Sequence, residues 1–229
     1  MDRYFVGVDL GQSQDFTALA VVERAVGSGE WDPVMATWPK VVTLNLRFLD
    51  RMELGTPYPE VVDRVARMTR CGELAGRCHL AVDGTGVGAP VVDLLKRAQL
   101  DCRLMPVMVT SGGLETQDKG YYHVPKRDLI IGLQVLFQRG ALRIAGGLKH
   151  SDTLIKEMQA MRVKVTPAGN EQYAAWREGT HDDLVFAVAL ACWAAKKICP
   201  NPPMGDDGWW RNEHYQHTEK TFREEMKRI

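Results

Sequence analysis

The period of the hydrophobic positions changes several times along the chain, and each change marks an element. Tyr4 to Val8 runs apolar and ends at Asp9, which predicts a first strand. Gly11 to Asp15 is turn chemistry and Thr17 to Glu23 is a second β-rich run, so the two runs predict a hairpin. Val26 to Pro39 holds Gly, Pro and two Trp without a clear period and predicts an extended hairpin loop. Val41 to Phe48 predicts a third strand. From Pro59 to Leu74 the positions Val61, Val62, Val65, Met68 and Leu74 fall near helical spacing.

The second half alternates strand and helix. His79 to Val82 predicts a short strand that delivers Asp83 at its end, and Pro90 opens a helix to about Gln99 as a tolerated first-turn proline. Cys102 to Val109 predicts a strand, and Ser111 to His123 a Gly-rich polar loop. Helices follow over Lys126 to Arg139, opened by Pro125, and near Leu148 to Met161, with a short strand at Leu142 to Ala145 between them. The strongest helix runs from His181 to Lys197. Antiparallel first strands followed by strand–helix alternation predict an α/β fold, a mixed sheet with helices on both faces. Residues 1–199 then form one domain, and 200–229 a linker and an amphipathic tail.

Composition narrows the functions. The 229 residues carry 29 Lys plus Arg against 29 Asp plus Glu, so bulk charge cannot be the source of affinity for a polyanion, although a local patch can. Five cysteines, none in a C-x-x-C pair, argue against a disulfide framework or thiolate zinc site and for a reducing cytoplasm. The longest apolar run, Leu184 to Ala195, is too short to span a bilayer and predicts a buried helix, and the first residues carry no export pattern.

Asp9, Asp83 and Asp182 share a position: each stands where an element meets the edge of the packed core. Ligands of open α/β sheets gather at the carboxyl ends of strands, where Asp9 and Asp83 lie. Carboxylates that converge cannot all stay ionised without a cation among them, and hard oxygen ligands select Mg²⁺ or Mn²⁺. Singly, each has a plain structural reading as a turn former or a helix-dipole partner. Thr180 with Asp183 three positions on is arranged like a capping box, which gives Asp183 a structural task and leaves Asp182 without one.

In these stretches the chain resembles the nuclease domain of phage large terminase subunits. Phe5-Val-Gly-Val-Asp9 through Asp15-Phe-Thr17 to Glu23 is similar to that family's opening strand pair, and His79-Leu-Ala-Val-Asp83-Gly-Thr-Gly to the strand carrying its second acid. Val124-Pro-Lys126-Arg127-Asp128-Leu129 resembles the start of the helix after its DNA-facing loop. The most diagnostic stretch is Gly179-Thr-His181-Asp182-Asp183-Leu-Val-Phe-Ala-Val-Ala-Leu-Ala191, similar to the family's closing helix. The similarity runs in order from about residue 4 to 197.

The resemblance implies a ribonuclease-H-like fold and an endonuclease that cuts double-stranded DNA during genome packaging. It assigns Asp9, Asp83 and Asp182 as catalytic, metal-binding acids, with Asp9 bridging two Mg²⁺ or Mn²⁺ ions, and Asp15 and Asp183 as accessory metal acids. Two such cations stabilise the attacking and leaving oxygens of an in-line displacement, and one generates the hydroxide. Lys119, His123, Lys126 and Arg127, with Tyr121 and Tyr122 among them, are candidates to grip a phosphate backbone. His181 is an accessory candidate that could orient a water or a phosphate.

Large terminases usually carry an N-terminal ATPase domain, whereas this chain starts at the nuclease's first strand and has no P-loop sequence. The chain is then a piece of a longer protein, a split gene product or a freestanding relative, and the resemblance gives double-stranded DNA and a separate P-loop packaging ATPase, portal or small terminase subunit as candidate partners, in a host-cell cytoplasm. Rival readings share some of these residues. A Holliday-junction-type resolvase would share the acids, and an actin-like ATPase the first hairpin and the Asp83-Gly-Thr-Gly86 stretch. The latter needs two such lobes, and this length provides one. A non-catalytic docking module would not need three intact acids. Gly84-Thr-Gly86-Val-Gly88-Ala89 fits a dinucleotide fingerprint formally, but no acid closes the following strand. In the tail, Trp209 and Trp210 precede a narrow apolar stripe of Tyr215, Phe222, Met226 and Ile229. This suits either a helix folded back on the domain or a docking peptide for a packaging partner.

Overall fold

The computed structural model describes residues 3–11, 15–86, 88–165, 171–175 and 181–199. Asp9, Asp15, Asp83, Asp182 and Asp183 fall within these residues, whereas Gly179, Thr180 and the tail from residue 200 onward lie outside them.

β1 (Tyr4–Asp9) pairs antiparallel with β2 (Ala18–Ser28), which pairs antiparallel with β3 (Lys40–Arg51). After α1 (Tyr58–Thr69), β4 (Cys78–Asp83) returns on the other side of β1 and parallel to it. α2 (Gly88–Arg97) leads to β5 (Arg103–Thr110), parallel to β4. A short β6 (Thr116–Asp118) and β7 (Tyr121–Pro125) follow, then α3 (Lys126–Gln138), β8 (Leu142–Ile144) and α4 (Ser151–Ala160). β9 (Met161–Val165) and β10 (Glu171–Ala175) form a separate antiparallel pair, and α5 (Asp183–Ile198) closes the described chain. The main sheet has the order β6-β7-β5-β4-β1-β2-β3-β8, so β1 is central. This is the expected mixed sheet, antiparallel first and then parallel, in a ribonuclease-H-like arrangement.

Side-chain alternation divides the core into two layers. Tyr4, Val6 and Val8 of β1, with Leu80 and Val82 of β4, face Val61, Val65 and Met68 of α1 and Val91 and Leu95 of α2. Phe5, Ala18, Ala20 and Ala81 face the opposite layer, built around α5 with α3 and α4. α5 is apolar almost all round because it is buried almost all round; Leu184 to Cys192 are inaccessible to within a few per cent.

Two sequence expectations change. The loop expected over Ser111 to His123 contains the β6–β7 hairpin, with Asp118 opposite Tyr121 and Lys119-Gly120 both at positive φ, 48° and 82°, in the turn. A polar three-residue strand carries no hydrophobic alternation, so nothing in the pattern announces it. The region from Val26 to Pro39 is regular for longer than expected, because β2 runs to Ser28 and Asp32 bridges Thr37 beyond it. Among the described residues no helix is long and apolar enough to cross a membrane.

Candidate metal centre

The site grows from one row across the sheet. Val8 pairs with Val82 in the parallel β1–β4 ladder, so Asp9 and Asp83 follow side by side at the carboxyl ends of adjacent strands. Across the antiparallel β1–β2 ladder Asp9 faces Ala18, and Ala18 faces Arg51 of β3. Asp9 stands two residues after Gly7 and four after Phe5, so its side chain leaves the sheet on the α5 face.

Gly7 brings α5 down onto this row. A β-carbon there would lie 1.9 Å from the Ala187 carbonyl oxygen and 2.7 Å from the Ala191 nitrogen, so only glycine permits the approach. Ala187 and Ala191, both fully buried, complete the contact from the helix side. The first turn of α5 is thereby lowered toward Asp9 with Asp182 and Asp183 on it.

The carboxyl of Asp9 is held well above its ordinary range, first by burial and then by the charges of Asp83, Asp183 and Asp182, with Lys126 opposing. Burial also raises Asp83, against the hydrogen bonds it accepts. Thr85 supplies them: its backbone N–H donates to Asp83 Oδ1 at 2.8 Å and its hydroxyl to the same oxygen, while that hydroxyl accepts from the Val109 N–H at 2.8 Å. Thr85 thus fixes the carboxylate's direction.

Asp183 is buried and its carboxyl is pushed up to about 6, chiefly by desolvation; Arg51 and His181 pull it down, and Asp182 and Asp15 push it up. One oxygen or nitrogen each of Asp15, His181 and Asp183 lie within 4.8 Å of one another, a spacing that suits a cation. Asp183 Oδ2 is buried without a hydrogen-bond partner. A buried carboxylate oxygen that accepts no hydrogen bond, beside another carboxylate and an imidazole and 3.6 Å from the Arg51 guanidinium, fits a hard divalent cation. His181 Nδ1 lies 3.7 Å from that oxygen, and its ring packs edge-on against Phe16 with centroids 4.8 Å apart.

The capping arrangement expected of Thr180 with Asp183 lies outside the described residues. Asp182 is the N-cap residue and makes no side-chain cap bond. The buried Glu157 of α4 reaches across instead and accepts the Val185 N–H at 3.3 Å. Asp183 meets the charges of Asp182, Asp15 and Asp9. Glu157 and Arg51, which pair with each other, escape a reading of the sequence because neither lies in a motif and 106 positions separate them.

The basic candidates divide. Lys126, the first residue of α3, places Nζ 3.5 Å from Asp182 Oδ2 and 4.3 Å from the Phe186 ring centroid, inside the cluster. Arg127 is exposed and faces Asp128 at 3.5 Å, and Lys119 is exposed in the β6–β7 turn. His123 pairs with Thr116 and Met108 within the sheet. Among the described residues none of these three forms an ion pair with the acids.

No protein-family model matches the chain. The large terminase subunits of Thermus phage G20c and Thermus virus P23-45 are each 25% identical over 188 residues, which is 82% of this chain and 31% of theirs. The chain thus spans about a third of the length of these relatives. Among solved structures, the large terminase nuclease of thermophilic phage G20c with bound magnesium matches with a TM-score of 0.55 and 22% identity, covering 83% of this chain and 80% of that one. The nuclease domain of the large terminase subunit gp2 of bacterial virus Sf6 matches with a TM-score of 0.56 and 15% identity, covering 83% and 87%. In sequence the chain is similar to phage large terminase subunits, and in fold to the nuclease domains of such subunits.

Proposed function

We propose that the chain is a Mg²⁺- or Mn²⁺-dependent endonuclease that cuts double-stranded DNA during phage genome packaging, with Asp9, Asp83, Asp182, Asp183 and Asp15 as the metal-holding acids. The observation that carries this reading is the convergence on Asp9: three further carboxylates raise its carboxyl at one sheet edge, on a scaffold shared with terminase nucleases. Ions bound there would stabilise the attacking and leaving oxygens of an in-line phosphodiester displacement. Two ions suit the acids, which fall into two groups. Asp9 and Asp83 lie side by side on the strands, and Asp15, His181 and Asp183 form a second group, with Asp183 also acting on Asp9 and Lys126 on Asp182. Lys126 brings a fixed cation to where a scissile phosphate would approach, and Thr85 keeps Asp83 aimed.

The partners proposed are double-stranded DNA and a P-loop packaging ATPase, portal or small terminase subunit, in the host-cell cytoplasm. Residues 200–229 are assigned as the docking tail. Supercoiled plasmid is the test substrate. The protein should nick and linearise it with Mn²⁺ or Mg²⁺ and be inert in chelator. Asp9→Asn, Asp83→Asn, Asp182→Asn and Asp183→Asn should each remove cutting, since each takes a ligand from a shared cluster. Undiminished cutting by Asp9→Asn would overturn the assignment, and a strong preference for four-way junctions over plasmid would move it to a resolvase.

A further inference from the structure

Arg51 ends β3 at the edge of the acidic row, and a β-bulge is what turns it there. Val21 pairs with Phe48 but Val22 with Leu46, so Arg47 is an extra residue that reverses the alternation of everything after it. Leu44 and Leu46 face α5 before the bulge, and Leu49 faces it afterwards. Asp50 accordingly points to the other layer, where Arg64 of α1 holds it at 2.6 Å, and Arg51 points to the α5 side. Ala18, with only a methyl group, separates Arg51 from Asp9 in the row.

The side chain of Arg51 is 13% exposed and held from several directions. Its guanidinium pairs with Glu157, lies 4.8 Å from the Phe16 ring centroid and stands 3.6 Å from Asp183 Oδ2. Glu157 uses its second oxygen on the Val185 N–H, so the same carboxylate anchors both Arg51 and the first turn of α5. Phe16 in turn packs on His181. His181, which meets Asp183, is thereby tied through Phe16 to Arg51.

We infer that Arg51 is a positioning residue of the metal centre: braced by Glu157 and Phe16, it seats the Asp183 carboxylate where that group serves as a metal ligand. The inference rests on the nuclease reading above and concerns a residue outside the acidic set. Its test is Mn²⁺ binding by the full chain without DNA, followed by calorimetry, together with the Mn²⁺ dependence of plasmid nicking. Arg51→Ala should weaken Mn²⁺ binding about tenfold, the usual scale for removing a residue that orients a ligand. It should raise the Mn²⁺ concentration for half-maximal nicking while much of the rate returns at saturating Mn²⁺. Combining Arg51→Ala with Asp183→Asn should weaken binding no further than Asp183→Asn alone, because the two act through one carboxylate. Arg51→Ala leaves Glu157 without its cation, so the pair Arg51→Ala with Glu157→Gln keeps the test open if the single variant does not fold. Wild-type Mn²⁺ affinity in a folded Arg51→Ala chain, or losses that multiply with Asp183→Asn, would overturn the inference alone. A wild-type chain that takes up no Mn²⁺ would overturn the metal reading and this inference with it.

Discussion

Lys126 and Arg127 are adjacent in sequence and belong to different environments. Lys126 is drawn into the acids by Asp182 and the face of Phe186, whereas Arg127 points to solvent beside Asp128. Their removal should separate binding from cutting. Arg127→Ala should weaken binding to all double-stranded sequences alike and lower the salt dependence by about one unit of slope, with an unchanged rate at saturating DNA. Lys126→Ala should lower the single-turnover cutting rate about a hundredfold at saturating DNA, the scale for losing one fixed charge at a reacting phosphate. Equal behaviour of the two variants in binding and single-turnover assays would remove the distinction. The sequence makes the two look alike because both flank the same polar segment, and only the start of α3 against α5 tells them apart.

The approach of α5 to β1 decides whether there is a site at all. Because a β-carbon at Gly7 would collide with the α5 backbone, Gly7→Ala should displace the helix and destabilise the fold by about 3 kcal/mol, near the upper end for overpacking a core. It should also reduce Mn²⁺ binding in the molecules that remain folded, since Asp182 and Asp183 move away from Asp9. Thermal melting and metal titration of the same preparation would check both, and unchanged values for Gly7→Ala would mean that the helix tolerates the shift. Much of this element is legible in sequence: the small residues Ala187 and Ala191 and the acids before them predict close packing at a sheet edge. Asp9 and Asp83 are legible for a similar reason, since a carboxylate that closes an apolar strand is a local pattern. Arg51 is not, because its orientation depends on a bulge created at Arg47, and no period in β3 discloses which residue is the extra one. Glu157 is hidden likewise: it caps a helix to which it is not adjacent in sequence. What the chain writes locally can be read locally; what it settles by register and tertiary pairing cannot.

Across the whole molecule the net charge is zero, yet Asp9, Asp83, Asp182 and Asp183 meet at one edge, and folding must bring them there against their own repulsion. Asp9, Asp83, Asp183 and Glu157 all lie above the ordinary carboxyl range in the folded chain, with burial the first cause for each. Asp183 reaches about 6 and Glu157 about 7. The unfolded chain releases these protons near pH 4. Between roughly that pH and the folded values the folded state holds more protons than the unfolded state, so stability falls as pH rises through this window. His150, lowered mainly by burial, works in the opposite direction, but it is one half-buried group against several carboxyls. In chelator the melting temperature should therefore decline from about pH 5 to pH 8, with a penalty on the order of 2 kcal/mol per strongly raised group at the upper end. On the proposed reading Mn²⁺ would bind the folded state alone and favour the deprotonated acids, so its stabilisation should be larger at pH 8 than at pH 5, reaching about 2.7 kcal/mol at a hundredfold excess over its Kd. Differential scanning calorimetry across pH, with and without Mn²⁺, measures both slopes. A melting temperature that rises with pH in chelator would show that the clustered acids carry no such penalty, and the Asp9→Asn chain, relieved of one of them, should melt higher than the wild type at pH 8 in chelator and gain little from the metal.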